Sequence, residues 1–336
     1  LFAVKHWLES RLVWTAIGTL HQHGIAAALA TVVRVRGSAY RHEGAKMVVG
    51  ADGTIVGNVS GGCLEQDVRE VARRVLTSGV AERRRYCSGN DEIAAWDLGV
   101  GCEGEVEILV APVHDDYAAE RAALGGEVPF VVYTPLTGGM RRIVSASGTT
   151  GLMADADGVE WFAEAFSPPP QLLLCGAGDD AIPLARMAVD LGFRVTVTDR
   201  RPGLLEPARF VDGVRLVQAL PDALESSVSL DGDTFAVVMT HHFADDGAYL
   251  ATLLSSAVAY IGMLGPRQRT ERLLGLVALP GVEDDVRVHG PVGLDIGTDG
   301  AEQVALSVLA EIMATRAGRP ATPLRERMQP IHADRV

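Results

Sequence analysis

Leu172-Leu173-Leu174-Cys175-Gly176-Ala177-Gly178-Asp179-Asp180-Ala181 is the stretch whose reading decides the fold. Its short apolar run suits a strand buried on both faces. Gly176-x-Gly178-x-x-Ala181 then turns into a helical pattern that reaches Asp190 and is stopped by Gly192. Residues 194–198 read as the next strand, and Asp199 closes it 21 positions after Gly178. This is the Rossmann fingerprint: glycines for the turn, a helix N-terminus for pyrophosphate, an acidic residue for the ribose. Residues 235–239 and 259–263 read as two more strands and 301–314 as a closing helix. The alternation predicts a parallel, doubly wound sheet.

Ligands of such sheets lie at the carboxyl ends of the strands. The glycine loop, Thr240-His241-His242 and the segment from Gly262 to Arg267 are expected to meet there. Pro266 suits a helix start, which sets Arg267 beside an anion-binding N-terminus. Gly176, Gly178, Asp199, His241 and Arg267 are therefore the candidate ligand residues of this half. Asp179 and Asp180 suit the helix dipole but would repel a phosphate. Arg200 and Arg201 favour a 2′-phosphate, whereas Asp199 argues against one, and a solvated loop explains the arginines equally well. One reading is an NAD(P)-dependent oxidoreductase with His241 as acid or base. The other is a Rossmann sheet without its dinucleotide.

Working outward, Ser167-Pro168-Pro169-Pro170 marks a boundary, because three prolines stiffen a segment and cannot continue a helix. The expected division is residues 1–166, 167–318 and a loose tail at 319–336. The first half opens with a helix over 4–23, with Leu8, Leu12, Ile17 and Leu20 near one face. Residues 25–35 read as a strand, and 46–49 and 54–56 as a hairpin about Asp52-Gly53. Residues 65–77 read as a helix stopped by Gly79, and 83–87 and 106–110 as further strands. That is an α+β domain. Late in the chain, His289-Gly290-Pro291-Val292-Gly293-Leu294-Asp295-Ile296-Gly297 is either a turn closing its domain or a loop that turns His289 or Asp295 toward a cleft.

The chain has 336 residues and 48% hydrophobic content, enough for about two domains with real cores. Its net charge of −13 argues against a nucleic-acid partner. No apolar run suggests a membrane span, and the first ten residues lack a signal-peptide core. The four cysteines, Cys63, Cys87, Cys102 and Cys175, form no C-x-x-C pair. Neither a zinc ribbon nor a disulfide framework is indicated, and the cytoplasm is the expected compartment.

Ser60-Gly61-Gly62-Cys63-Leu64-Glu65 is the second informative stretch. Glycines let backbone N–H groups face a ligand, and a thiol at a helix N-terminus tends toward thiolate. The turn suits a soft metal, a sulfur species or an anionic cofactor. It would equally be a tight turn with a small buried cysteine.

Together with Gly37-Ser38-Ala39-Tyr40-Arg41, Gly44-Ala45-Lys46-Met47, Tyr260-Ile261-Gly262-Met263-Leu264-Gly265 and Pro291-Val292-Gly293-Leu294-Asp295-Ile296-Gly297, this turn resembles the XdhC/CoxI family. The likeness runs from the first strand to about residue 315. It implies a maturation factor for molybdenum hydroxylases such as xanthine dehydrogenase or carbon monoxide dehydrogenase, a chaperone rather than a catalyst. Such a protein binds the molybdenum cofactor, supports its sulfuration by a cysteine desulfurase and delivers it to the hydroxylase apoenzyme. It also implies an N-terminal XdhC-type domain, a C-terminal Rossmann domain and a homodimer. Cys63 would then ligate molybdenum, a thiolate being a soft ligand. Ser60, Gly61 and Gly62 would line the cofactor, with Gly61 and Gly62 N–H groups on oxo or phosphate oxygens. Arg41 and Lys46 would add positive charge, although Arg41 also suits a surface loop and Lys46 a strand edge. Relatives commonly carry His where this chain has Asp179, which suggests a diverged paralogue whose client is not xanthine dehydrogenase.

Overall fold

The computed structural model describes residues 2–37, 40–87, 104–126, 128–277 and 281–328. Ser38, Ala39 and Cys102 lie outside them. The chain packs as two units, Phe2–Pro168 and the part from Pro169 onward.

The first unit opens with helix α1 (Phe2–Gln22), then strands β1 (Ala27–Gly37), β2 (Lys46–Gly50) and β3 (Ile55–Gly57). Helix α2 (Glu65–Ser78) and strands β4 (Glu82–Cys87) and β5 (Gly104–Pro112) follow. The strands form one antiparallel sheet in the order β3-β2-β1-β5-β4. Period-two alternation gives the sheet two apolar faces. Ala28, Ala30, Val32 and Met47 bury against Val68, Val71 and Val75 of α2. Leu29 and Val48 bury against Trp14, Ile17 and Leu20 of α1. Gly79 ends α2 in the left-handed conformation at φ 68°, donating its N–H to the Val75 carbonyl.

The inner face of α1 is the expected one at Ile17 and Leu20 but not at Leu12. Leu12 is exposed, while Trp7, Ser10, Val13, Trp14, Ile17 and Leu20 are buried. The two tryptophans recur at helical spacing and carry far more apolar area than a leucine, so they set the rotation.

A second antiparallel sheet completes the unit. It comprises β6 (Phe130–Pro135), β7 (Arg142–Val144), β8 (Gly151–Ala154) and β9 (Glu160–Phe166), in the order β7-β6-β9-β8, after a short helix α3 (Ala118–Leu124). The sequence reading assigns no element to this stretch. Two of the strands are only three and four residues long, and Glu164, at a core position of β9, interrupts the apolar signal.

In the second unit β10 (Gln171–Cys175), β11 (Arg194–Asp199), β12 (Arg215–Gln218), β13 (Thr234–Val238), β14 (Tyr260–Met263) and β15 (Val288–His289) pair in parallel, ordered β12-β11-β10-β13-β14-β15. This is the order 3-2-1-4-5-6 of a dinucleotide-binding sheet. Helices α4 (Ala181–Asp190) and α8 (Ala301–Arg316) cover one face, burying Leu172, Leu174, Val195 and Val197. Helices α5 (Leu224–Ser227), α6 (Phe243–Leu254) and α7 (Arg267–Leu274) belong to the other face, where Leu173, Cys175, Ala236 and Val238 are buried against Leu224, Leu250 and Leu273. Burial on both faces explains why these strands read as continuous apolar runs. Strands β12 and β15, at the sheet edges, are short and only partly buried, and the sequence reading misses both.

Candidate functional site

The turn before α2 is organised by Glu65. Its carboxylate accepts backbone N–H groups from Val59 (3.2 Å), Ser60 (2.9 Å), Gly61 (3.2 Å) and Gly62 (2.9 Å), and the Ser60 hydroxyl as well. Ser60 Oγ in turn accepts the Leu64 N–H at 2.9 Å. Gly61 and Gly62 stand at φ +98° and +130°, where residues with a Cβ are strained, so their N–H groups can turn inward to one point. Partial burial raises the Glu65 carboxyl pKa, but these hydrogen bonds outweigh it and hold the pKa at about 2. The concave array of N–H groups thus receives a carboxylate of the chain itself. Cys63 sits on the rim of this frame, partly exposed and outside any disulfide.

Arg41 and Lys46 do not direct their charges outward. Arg41 is buried and makes a two-pronged contact with Glu9 of α1, one prong at 3.0 Å. Lys46 is buried too, with Nζ on the Gly44 carbonyl (2.8 Å), Ser10 Oγ (3.1 Å) and the Glu164 carboxylate. His6 Nε2 lies 2.8 Å from the same carboxylate. Burial pushes the Glu164 carboxyl pKa up, but Lys46 and His6 together outweigh burial and hold it below the usual range. Burial, reinforced by Lys46, lowers that of His6. These groups tie α1, β2 and β9 together. From the motif around Arg41 it is Tyr40 that reaches the glycine turn. A Cβ on Gly61 would lie 2.5 Å from Tyr40 Cδ1 and 2.6 Å from Cε1.

At the carboxyl ends of the parallel strands the expected segments do converge. Gly176 stands at φ +123°, and a Cβ there would come within 2.6 Å of the Met239 carbonyl oxygen, so only glycine fits where β10 passes β13. Gly178 faces His241, whose Nε2 is 3.1 Å from Asp180 Oδ2. His241 is in the left-handed region at φ 60°. Asp199 is buried and fully engaged: Oδ2 accepts the Ala177 N–H (2.9 Å) and Arg201 Nη2 (2.8 Å), and Oδ1 accepts the Arg201 backbone N–H and Nε (both 2.9 Å). Burial opposes its ionisation, but Arg201 and the Ala177 N–H hold its pKa below the usual value. Arg267 is exposed at the start of α7.

Residues that the sequence reading misses complete this end of the sheet. Arg209 donates to the Ala177 carbonyl (2.8 Å) and to Asp179 Oδ1 (2.7 Å), so the acidic helix start carries a counter-ion. Asp246 is buried, with Oδ1 on the Thr240 hydroxyl (2.5 Å) and N–H (3.2 Å) and Oδ2 on Arg269 Nη2 (2.6 Å). The only sequence cue was its place in the first turn of a helix after a strand end. The late glycine loop is clamped to α8. Glu311 accepts the Tyr260 hydroxyl (2.5 Å) and the Gly293 N–H (2.9 Å), and His289 Nδ1 lies 3.3 Å from it. His289 therefore closes its own domain, and Asp295 is exposed.

Among the described residues no three His, Cys, Asp or Glu side chains group as metal ligands. Among the same residues no helix is long and apolar enough to cross a membrane.

Residues 20–87 match the model of the XdhC and CoxI family, and residues 172–312 match the XdhC Rossmann domain. The chain is 31% identical to a Bacillus subtilis protein named as a probable xanthine dehydrogenase subunit, over 90% of this chain and 97% of that one. It is 26% identical to the Escherichia coli molybdenum cofactor insertion chaperone PaoD, over 87% and 84% of the two chains. A Bacillus halodurans crystal structure described as a xanthine dehydrogenase superposes with a TM-score of 0.74 at 30% identity, covering 94% of this chain and 99% of that one. With both halves matched in order and relatives aligned along nearly their whole length, the chain belongs to the XdhC and CoxI family.

Proposed function

We propose that this chain is a molybdenum cofactor insertion chaperone for a molybdenum hydroxylase. The observation that carries the reading is the Ser60–Glu65 frame, which holds Cys63 at a rigid, accessible turn with no other described protein ligand grouped around it. A pterin dithiolene already supplies sulfur ligands to molybdenum, so the protein needs to offer only one more soft donor. The likeness to PaoD supports the same cargo. On this reading the partners are a hydroxylase apoenzyme of the xanthine dehydrogenase or carbon monoxide dehydrogenase type, a cysteine desulfurase that sulfurates the bound cofactor, and a second copy of the chain. The purified protein should bind molybdenum cofactor and activate a cofactor-free hydroxylase, and Cys63→Ala should lose both. Full binding by that variant would remove Cys63 from the site.

An NAD(P)-dependent oxidoreductase is the second reading, favoured by the strand order and the Gly176 turn. Against it, both Asp199 oxygens are spent on Arg201 and Ala177, leaving no free carboxylate for a ribose.

A further inference from the structure

We propose that Tyr40 is an aromatic platform on which the flat pterin of the cargo lies beside Cys63, with the metal end rather than the phosphate at the glycine turn. This rests on the chaperone reading and adds an orientation to it. Tyr40 is 70% exposed, and among the described side chains no other phenylalanine, tyrosine or tryptophan stands out in solvent. An exposed ring is costly to hold in place unless something fixes it. Here the ring lies against the bare α-carbon of Gly61, a contact that any side chain at 61 would destroy. The next residue, Arg41, is buried and forked onto Glu9, which anchors the backbone that carries the ring.

The space on the other side is open. A Cβ built on Gly62 meets nothing within 4 Å, so the turn is open at that position. Gly61 and Cys63 are two residues apart, so their α-carbons are within about 7 Å. The supply of hydrogen-bond donors decides the orientation. The N–H groups of residues 59–62 all point at Glu65, so a phosphate arriving there would find no free donor and a carboxylate facing it. A flat π-face and a soft metal are the features of the cargo that this surface accommodates.

The test uses the full chain with Tyr40→Ala, Tyr40→Phe and Cys63→Ala, titrated with molybdenum cofactor and, separately, with molybdate. Pterin fluorescence serves as the readout and thermal melting as the folding control. Stacking on the platform predicts quenching on wild type and Tyr40→Phe. Tyr40→Ala should lose the quenching and bind about tenfold or more weakly, the scale of one ring stack. Molybdate should not distinguish Tyr40→Ala from wild type. Unchanged cofactor affinity in Tyr40→Ala, with loss in Cys63→Ala, would overturn the platform and leave the chaperone reading standing. Equal losses in Tyr40→Phe and Tyr40→Ala would also overturn it, since the hydroxyl would then be responsible. Failure of the wild-type chain to bind cofactor would overturn the chaperone reading and the platform with it.

Discussion

At Glu65, four backbone N–H groups and one hydroxyl meet a carboxylate supplied two residues after the cysteine they frame. An unfolded glutamate titrates near 4.3, whereas this one is held at about 2. A folded pKa below the unfolded value means stability that is present above the unfolded pKa and lost as pH falls through the folded one. Glu65→Gln should therefore destabilise the protein most at neutral pH. The gap between variant and wild type should shrink between about pH 4 and pH 2, as followed by denaturant melts at each pH. A pH-independent gap would mean that the carboxylate acts only by shape. The sequence makes Ser60, Gly61, Gly62 and Cys63 visible as a special turn. It does not show that Glu65 fills the array, because that depends on the φ angles of the two glycines.

Among the elements, α1, β2 and β9 are joined by Lys46 and Glu164, residues 118 positions apart with both side chains nearly inaccessible. Removing one partner leaves the other as an uncompensated buried charge. Glu164→Gln should cost about 3–5 kcal/mol in urea unfolding. The double replacement Lys46→Met, Glu164→Leu should cost less than Glu164→Gln alone, since no charge remains buried. A simple sum of two losses would contradict this. Lys46 reads in sequence as a strand-edge lysine or a charge for an anionic ligand, because nothing nearby in the chain announces Glu164. The Rossmann turn was more legible, because its requirement is local. Gly176→Ala would drive a Cβ into the Met239 carbonyl, and a lowered melting temperature should report it.

For the whole molecule, the two units differ in how much of them could be read in advance. In the parallel unit, strand, turn and helix alternate within short spans, and the strands are apolar on both faces. Periodicity alone gives the sheet, while the edge strands β12 and β15 escape it. Whether that sheet binds a dinucleotide is set by how its acidic side chains are paired, one by a neighbour in sequence and one by a residue 30 positions away. With Asp199 closed by Arg201, and Asp179 paired with Arg209, titration with NADH and NADPH should show no saturable binding at millimolar concentration. Saturable binding by either would revive the oxidoreductase reading.

The order of local patterns along the chain determined the α/β class, the doubly wound sheet, the glycine turn at Gly176, the turn before Cys63 and the family likeness. Each rests on residues close in sequence, where glycine φ angles and apolar periods act directly on the backbone. Only the tertiary structure decided what the charged residues do. Arg41 and Lys46 turn inward to Glu9 and Glu164, Asp179 is paired with Arg209, and Tyr40 is left exposed against Gly61. A buried charge must find a partner wherever the fold brings one, and sequence spacing does not encode that distance.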